Sequence, residues 1–438
     1  MWPYHPDLLA QNVPRYTSYP PATAFTPDVA AAAQIEAVEA VSAGTPISLY
    51  VHIPYCQSIC WYCGCNTGLA GKAQRLHAYL DALEAEIALV AKLLGGRGKV
   101  ARIAFGGGSP NAIEPVAFVR LVDRLMTVLA GSDTEISVEI DPRAFTLEWA
   151  MTLSIARVSR VSFGVQSFDA EIQAAIGRIQ PVEMIETCVA ALRARGIGSI
   201  NFDLMYGLPM QTVEKLDQTL EHVLRMQPER IALFGYAHLP EMFARQRRID
   251  SATLPDARQR FELAAHGFGR LVAAGYQPIG FDHFAKPNDS LAIAHKKGEL
   301  HRNFQGFTDD TSEVVIGIGA SAISIFPDRI IQNEKKAGEY RALCASGQLA
   351  GTRGTMRASD DRDRAKIIEG ILCHGEADCG EMMALPQVRS RLEPLASHGL
   401  VQIDGARLTM AANALPYARH VASAFDARLD LGPSKRQA

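Results

Sequence analysis

Tyr50-Val-His-Ile-Pro-Tyr-Cys56-Gln-Ser-Ile-Cys60-Trp-Tyr-Cys63-Gly-Cys65-Asn66 decides how the rest of this chain is read. Half of its eight cysteines lie in that stretch. The first three have the spacing CxxxCxxC and directly follow an apolar run, residues 47–53, that reads as a strand. Three thiolates so close together suit an iron–sulfur cluster with one open corner, because a cubane normally takes four cysteines and here one iron is left for something other than protein. A zinc knuckle would need a second CxxC-like pair or a Cys/His quartet nearby, and none lies close to this loop. Disulfides suit small secreted domains, whereas Met-Trp-Pro-Tyr-His-Pro-Asp at the start has neither a basic n-region nor an apolar h-region. Four cysteines interleaved with aromatics are also hard to assign to packing alone.

Composition sets the bounds. At 438 residues the chain exceeds the size at which a single core keeps growing, so one large domain with a smaller companion is expected. Apolar residues make up 48% and charged ones 21%, as in ordinary globular proteins. With 44 basic and 47 acidic side chains the net charge is −3, which gives no general pull toward nucleic acid or an anionic membrane. No apolar run approaches the roughly 20 residues of a bilayer span. The expectation is a soluble, cytoplasmic protein, acting as a monomer without nucleic-acid or membrane partners.

Working outward, residues 1–43 form a proline-rich arm, Val13-Pro-Arg15-Tyr-Thr-Ser-Tyr19-Pro-Pro, followed by a short helical stretch over 27–41. From residue 46 onward strands and helices alternate. Strands are predicted at 47–53, 100–105, 136–140, 161–165, 200–205 and 231–236. Helices are predicted at 76–94, 118–129, 147–156, 182–195 and 213–226. In the first helix Leu76, Tyr79, Leu80, Leu83, Ile87, Val90 and Leu94 recur at three and four, giving one buried face. Six βα units imply a parallel sheet covered by helices. Because the runs are nearly continuous in Val, Ile, Leu and Phe, the strands are expected to be buried on both faces. Open sheet and partial barrel are not separable from this pattern alone.

In either architecture ligands gather at the carboxyl ends of the strands, and the unusual residues fall there. The first strand runs into the cysteine loop, and the second ends in Gly106-Gly107-Gly108-Ser109-Pro110. The other four end in Glu139-Ile-Asp141, Gly164-Val-Gln166, Asp203-Leu-Met-Tyr-Gly207 and Tyr236-Ala237-His238. Glycines let backbone N–H groups approach a ligand that a Cβ would exclude. Singly these are ordinary turns and helix caps; together they describe one cofactor pocket. Downstream, a helix at 257–274, a glycine-rich run at 314–325 and a helix at 334–344 close the catalytic domain, expected to span 44–343. Residues 344–438 then read as a smaller helical domain with a two-stranded wing at 400–403 and 406–410. Cys373, His374 and Cys379 there look incidental.

CxxxCxxC resembles the radical S-adenosylmethionine (SAM) superfamily, in which the free iron is chelated by SAM. The fuller set is similar to the oxygen-independent coproporphyrinogen III oxidases of haem biosynthesis. It comprises Pro14-Arg-Tyr-Thr-Ser-Tyr-Pro20, YVHIPYC with the extra Cys65, GGGSP, VEIDP, GVQSF, DLMYGLP, YAHLP, DHFAK, HRNFQG and GASAIS. The arm motif and Cys65 point to this branch rather than to the related haem-chaperone-like proteins. The resemblance implies an α/β fold with a partial (βα)6 barrel, a [4Fe–4S] cluster and two SAM molecules. It implies that Cys56, Cys60 and Cys63 ligate the cluster and that Cys65 stays near without ligating. Tyr50, Gly107, Glu139 and Ile323 match contacts of the first SAM. Tyr62, Gly108, Ser109, Gln166, Arg178, Asp203 and Ala237 match contacts of the second. Tyr50, Glu139 and Asp203 are the candidate catalytic residues.

The implied reaction is reductive cleavage of SAM to a 5′-deoxyadenosyl radical, which removes a hydrogen from a substrate propionate. Loss of CO2 and an electron leaves a vinyl group, and two rounds turn coproporphyrinogen III into protoporphyrinogen IX. A low-potential donor such as flavodoxin or ferredoxin is implied. Four propionates demand local positive charge, for which Arg15, with Lys286 or Arg302, is the candidate set. The chain departs from the family in having Gly235 where Asn is usual, GGGSP for GGGTP, and Ser167 where Asp is common. A haem-binding or haem-trafficking homologue, and a radical SAM enzyme acting on another tetrapyrrole, remain open to the sequence.

Overall fold

A computed structural model describes residues 2–71 and 73–429. Its centre is a twelve-stranded sheet. Numbered along the chain, its strands are β1 (Pro46–Ile53), β2 (Lys99–Gly107), β3 (Ala130–Ile140), β4 (Arg160–Gln166), β5 (Ser199–Tyr206) and β6 (Arg230–Gly235), then β7 (Gln277–Ile279), β8 (His283–Ala285), β9 (Val314–Ile318), β10 (Ile323–Ile325), β11 (Arg329–Asn333) and β12 (Gly351–Met356). Their spatial order is β12-β11-β10-β9-β1-β2-β3-β4-β5-β6-β8-β7. The six expected strands stand side by side and parallel, and β9 adds a seventh parallel strand beside β1. The remaining strands are antiparallel and finish both edges. The order is linear, so the barrel is partial.

The alternation of side chains explains the curvature. On β1, Ile47, Leu49, Val51 and Ile53 are at most 1% exposed and pack on the helices, while Ser48, Tyr50 and His52 point the other way. On β4 the outer set is Val161, Phe163 and Val165, and on β5 it is Ile200, Phe202 and Leu204. Between them Ser162, Asn201 and Asp203 are only half-buried. The strands are therefore apolar on the helix side and polar on the inner side, not buried in apolar surroundings on both faces as expected. The reason is that the inner face lines a cavity.

Helices hold the outer layer. The helix Ala73–Leu94 buries Tyr79, Leu80, Leu83, Ile87, Val90 and Leu94. Thr212 accepts from Lys215 N–H to cap the helix Val213–Met226, which ends at Gln227 in the left-handed region. The amino-terminal end of the sheet is closed by charge: Arg230 pairs with Asp289 at 2.7 Å, and Asp309 takes Arg102 and Arg230.

The boundary expected at residue 343 falls too early, because β12 pairs with β11 through Met356 and belongs to the central sheet. A second core follows. The helices Ser359–His374, Pro386–Ser397 and Ala418–Ser423 surround it, with a wing of three strands rather than two, Glu376–Asp378 joining Val401–Asp404 and Arg407–Met410. Cys373 and Cys379 are buried in that core, so they act as packing residues. The arm belongs there too: Leu8, Tyr16 and Tyr19 sit in the same cluster, Tyr16 donates to Asp426 at 3.0 Å and Tyr19 accepts from Ala427 N–H at 3.0 Å. No helix among the described residues is long and apolar enough to cross a membrane.

Candidate active site

A cavity of about 550 Å³ opens at the carboxyl ends of the parallel strands, within the range of small-molecule sites. Short strands Tyr55–Cys56 and Gly68–Leu69 pair at the two ends of the cysteine loop and fix it as a closed unit. Between them Trp61 N–H donates to Ile176 carbonyl at 2.9 Å, and Tyr62 carbonyl accepts from Gln246 at 2.7 Å. Cys56, Cys60, Cys63 and Cys65 all reach the cavity. All eight cysteines are free.

The three candidate cluster ligands sit in different electrostatic surroundings. Cys56 lies 3.2 Å from the Thr67 hydroxyl, and burial pushes its thiol up to about 11. Cys60 accepts N–H bonds from Arg143 and Arg178, each at 3.2 Å. Cys63 is pulled down to about 6, chiefly by hydrogen bonds from Cys65, whose backbone N–H lies 3.4 Å away, against the effect of burial. Asp141 holds both arginines. Its carboxylate pairs with Arg143 at 2.6 Å and Arg178 at 3.4 Å. Among the described residues no three thiol, imidazole or carboxylate groups converge closely enough to chelate a single ion. Cys56, Cys60 and Cys63 instead face one cavity, an all-thiol donor set of the kind that suits an iron–sulfur cluster.

The glycine strand end is shaped by its neighbours. Gly107 has φ +108°, and a Cβ there would lie 2.4 Å from the His52 ring. A Cβ on Gly108 would lie 2.6 Å from Tyr55 carbonyl and 2.7 Å from its nitrogen. The backbone can therefore approach a ligand on the cavity side, with Gly107 N–H donating to Glu139 at 3.3 Å. Glu139 opens onto the cavity, and desolvation together with the nearby Asp203 pushes its carboxyl up to about 7. Asp203 is also raised, by burial, and accepts from Asn201 at 2.8 Å and Ser162 at 3.1 Å. Gln166 is held at φ +67°, a region uncommon for residues other than glycine.

Most of the sequence-derived residues meet here. Tyr62, Gly107, Gly108, Ser109, Glu139, Gln166, Arg178, Asp203 and Ala237 line the same cavity as the cysteines, and so does Arg15 from the arm. Tyr50 and Ile323 do not. Tyr50 sits just behind the wall, 3.2 Å from His52 Nδ1 and close enough to Glu139 and Cys65 for burial and those charges to raise its hydroxyl. Ile323 lies on β10, next to Gly317, which pairs with Tyr50 in register. Lys286 is a correction. It bonds Gln227 carbonyl at 2.8 Å and Glu229 at 3.1 Å, beside the start of β6, at the end of the sheet opposite the cavity. Its strand runs antiparallel, so its motif ends at the wrong edge. Arg302 stays near Arg15, donating to its carbonyl at 3.5 Å. Asp141, Arg143, Arg245 and Gln246 line the cavity without having been assigned from sequence. Asp141 could have been found, since it ends the same strand motif as Glu139.

Gly235 also has a structural reason. A Cβ there would stand 2.9 Å from the Tyr206 hydroxyl, so the tip of Tyr206 occupies the place a larger residue would claim.

The radical SAM superfamily pattern matches residues 50–223. The oxygen-independent coproporphyrinogen III oxidase of Bradyrhizobium diazoefficiens is 43% identical over 96% of this chain and 96% of its own. That of Paracoccus denitrificans is 39% identical over 96% and 95%. The solved structure of coproporphyrinogen III oxidase from Escherichia coli, a radical SAM enzyme, matches with a TM-score of 0.89 at 37% identity, covering 96% of this chain and 100% of that one.

Proposed function

This chain belongs to the family of oxygen-independent coproporphyrinogen III oxidases, and from that premise we propose how its residues share the work. It is a radical SAM oxidoreductase of haem biosynthesis that converts two propionates of coproporphyrinogen III to vinyl groups, each losing a hydrogen atom, CO2 and one electron. The observation that carries the assignment of residues is the convergence of Cys56, Cys60 and Cys63 with the glycine strand end and two carboxylates on one cavity.

The residues fit the group the family uses. Cys56, Cys60 and Cys63 would hold the [4Fe–4S] cluster, with Cys65 polarising Cys63 through its N–H rather than ligating. When bound, the cluster and SAM together supply the electron and the hydrogen-abstracting radical. The chain's own task is to bind and orient. Gly107 and Glu139 would take the first SAM, whose ammonium is a natural partner for a carboxylate otherwise kept near neutrality by burial. Tyr50 and Ile323 support that wall from behind. Gly108, Ser109, Gln166, Arg178, Asp203 and Ala237, with Tyr62, would take a second SAM. Asp141 keeps Arg143 and Arg178 aimed at Cys60, so that sulfur faces two positive charges. Arg15 on the arm covers the mouth and holds substrate.

On the cluster loop Ser58, Gly64 and Cys65 open onto the cavity, while Gln57 is exposed outside its lining. That face is where a low-potential donor such as flavodoxin or ferredoxin would deliver electrons, to a monomer working in the cytoplasm. The test is anaerobic incubation of reconstituted protein with SAM, a low-potential reductant and coproporphyrinogen III. Loss of two CO2 units per tetrapyrrole, in step with 5′-deoxyadenosine, is expected. Deoxyadenosine without decarboxylation would overturn the substrate.

A further inference from the structure

Beside Arg15, which lines the cavity, the C-terminal domain contributes a further arginine. Arg419 lies on the helix Ala418–Ser423, with its guanidinium carbon 6.0 Å from the centre of the Phe281 ring. Arg302 stacks on the same ring at 4.8 Å and on Phe307 at 4.4 Å. Two of its nitrogens, Nε and Nη1, are buried without a hydrogen-bond partner. Arg419 is in no ion pair among the described residues.

Arg302 and Arg419 thus share one nearby carboxylate, Asp282, which is already engaged with His283 at 2.6 Å, and Arg15 lies close to both arginines. On top of the cost of burial, Arg15 presses the charge of Arg419, and Arg419 and Arg15 press that of Arg302. Tyr206, the residue admitted by Gly235, is within reach of both Arg15 and Arg419. Leaving buried N–H donors unmade is unfavourable, and clustering like charges adds to it. Such a site is stabilised when anions fill it. Guanidinium groups suit carboxylates, which they can bind with two parallel bonds.

Building on the family reading above, we propose that Arg15, Arg302 and Arg419 form the carboxylate-anchoring wall of the tetrapyrrole site, with Arg419 as the contribution of the C-terminal domain. A carboxylate clamped by arginine is stabilised as the anion and held back from leaving as CO2. The anchored propionates are therefore the two that the reaction retains.

The experiment is fluorescence titration of the full-length protein in the dark with coproporphyrin III, protoporphyrin IX and etioporphyrin, which carry four, two and no propionates. Wild type should bind the first two within a few-fold of each other and etioporphyrin far more weakly. Arg419→Gln should weaken both carboxylated porphyrins about 10- to 100-fold, Arg419→Lys should restore much of the loss, and Lys286→Ala, at the far end of the sheet, should change nothing. In turnover, Arg419→Gln should raise KM more than it lowers kcat. Equal binding of all three porphyrins by wild type, or unchanged affinity in a folded Arg419→Gln protein, overturns the wall. If wild type binds carboxylated porphyrins selectively but does not decarboxylate coproporphyrinogen III, the wall stands and the reaction assignment fails.

Discussion

Nη2 of Arg143 donates both to the sulfur of Cys60, across 3.2 Å, and to Asp141 at 2.6 Å, while Nε donates to the same carboxylate at 3.0 Å. The proposed cluster ligand is thereby given a hydrogen bond and a fixed positive charge by a residue far away in sequence.

Hydrogen bonds and charge around the sulfurs set cluster potentials, and positive charge favours the reduced, more negative state. Arg143→Gln should lower the midpoint potential of the reconstituted cluster by roughly tens of millivolts. A redox titration followed by EPR measures it, and an unmoved midpoint would count against the role.

Glu139 is pushed up to about 7 by burial and by Asp203. The native fold holds this proton more tightly than the unfolded chain, so its contribution to stability falls as pH rises from the ordinary carboxylate range through 7. Ligand binding has the opposite sign. Since the ionised form is the partner for the SAM ammonium, affinity should rise up to about tenfold between pH 6 and 8, and Glu139→Gln should bind weakly without that pH dependence. Equilibrium dialysis with SAM decides it; a flat wild-type profile would remove Glu139 from the contact.

Gly108→Ala places a methyl against the backbone of Tyr55, which cannot step aside. The expected cost is about 1–3 kcal/mol, with loss of iron after reconstitution because Tyr55 directly precedes Cys56. Gly235→Ala meets only the tip of Tyr206 and should melt within a few degrees of wild type. Iron content and thermal melting distinguish the two.

Tyr16→Phe removes the buried bond to Asp426 and should cost about 1–3 kcal/mol. Limited proteolysis should then release the arm before the barrel is cut. An arm that resists as well as in wild type would show that the packing of Leu8 and Tyr19 suffices.

Much of this was legible because it is local. Cysteine spacing, the GGGSP turn and the polar residue at each strand end belong to single segments, and parallel strands bring such ends together. The polar inner face was legible too, in the every-second-residue pattern of Ser162, Gly164 and Gln166, but the apolar partners between them dominate a reading by composition. Lys286 misled for a physical reason: its motif fixes a strand but not the direction in which that strand runs. Arg419 carries no local signal at all, since only the packing of the second core on the first brings it to Phe281. Nor does Gly235 declare that Tyr206 takes the vacated space.

The clasp between Tyr16 and Asp426 joins residues 410 positions apart. On the ribosome the arm is therefore made long before its partner. The cluster loop and all seven parallel strands are thus made before the arm can form this contact. Until Asp426 has been made, Tyr16 lacks this partner and the arm is held by less than its full set of contacts.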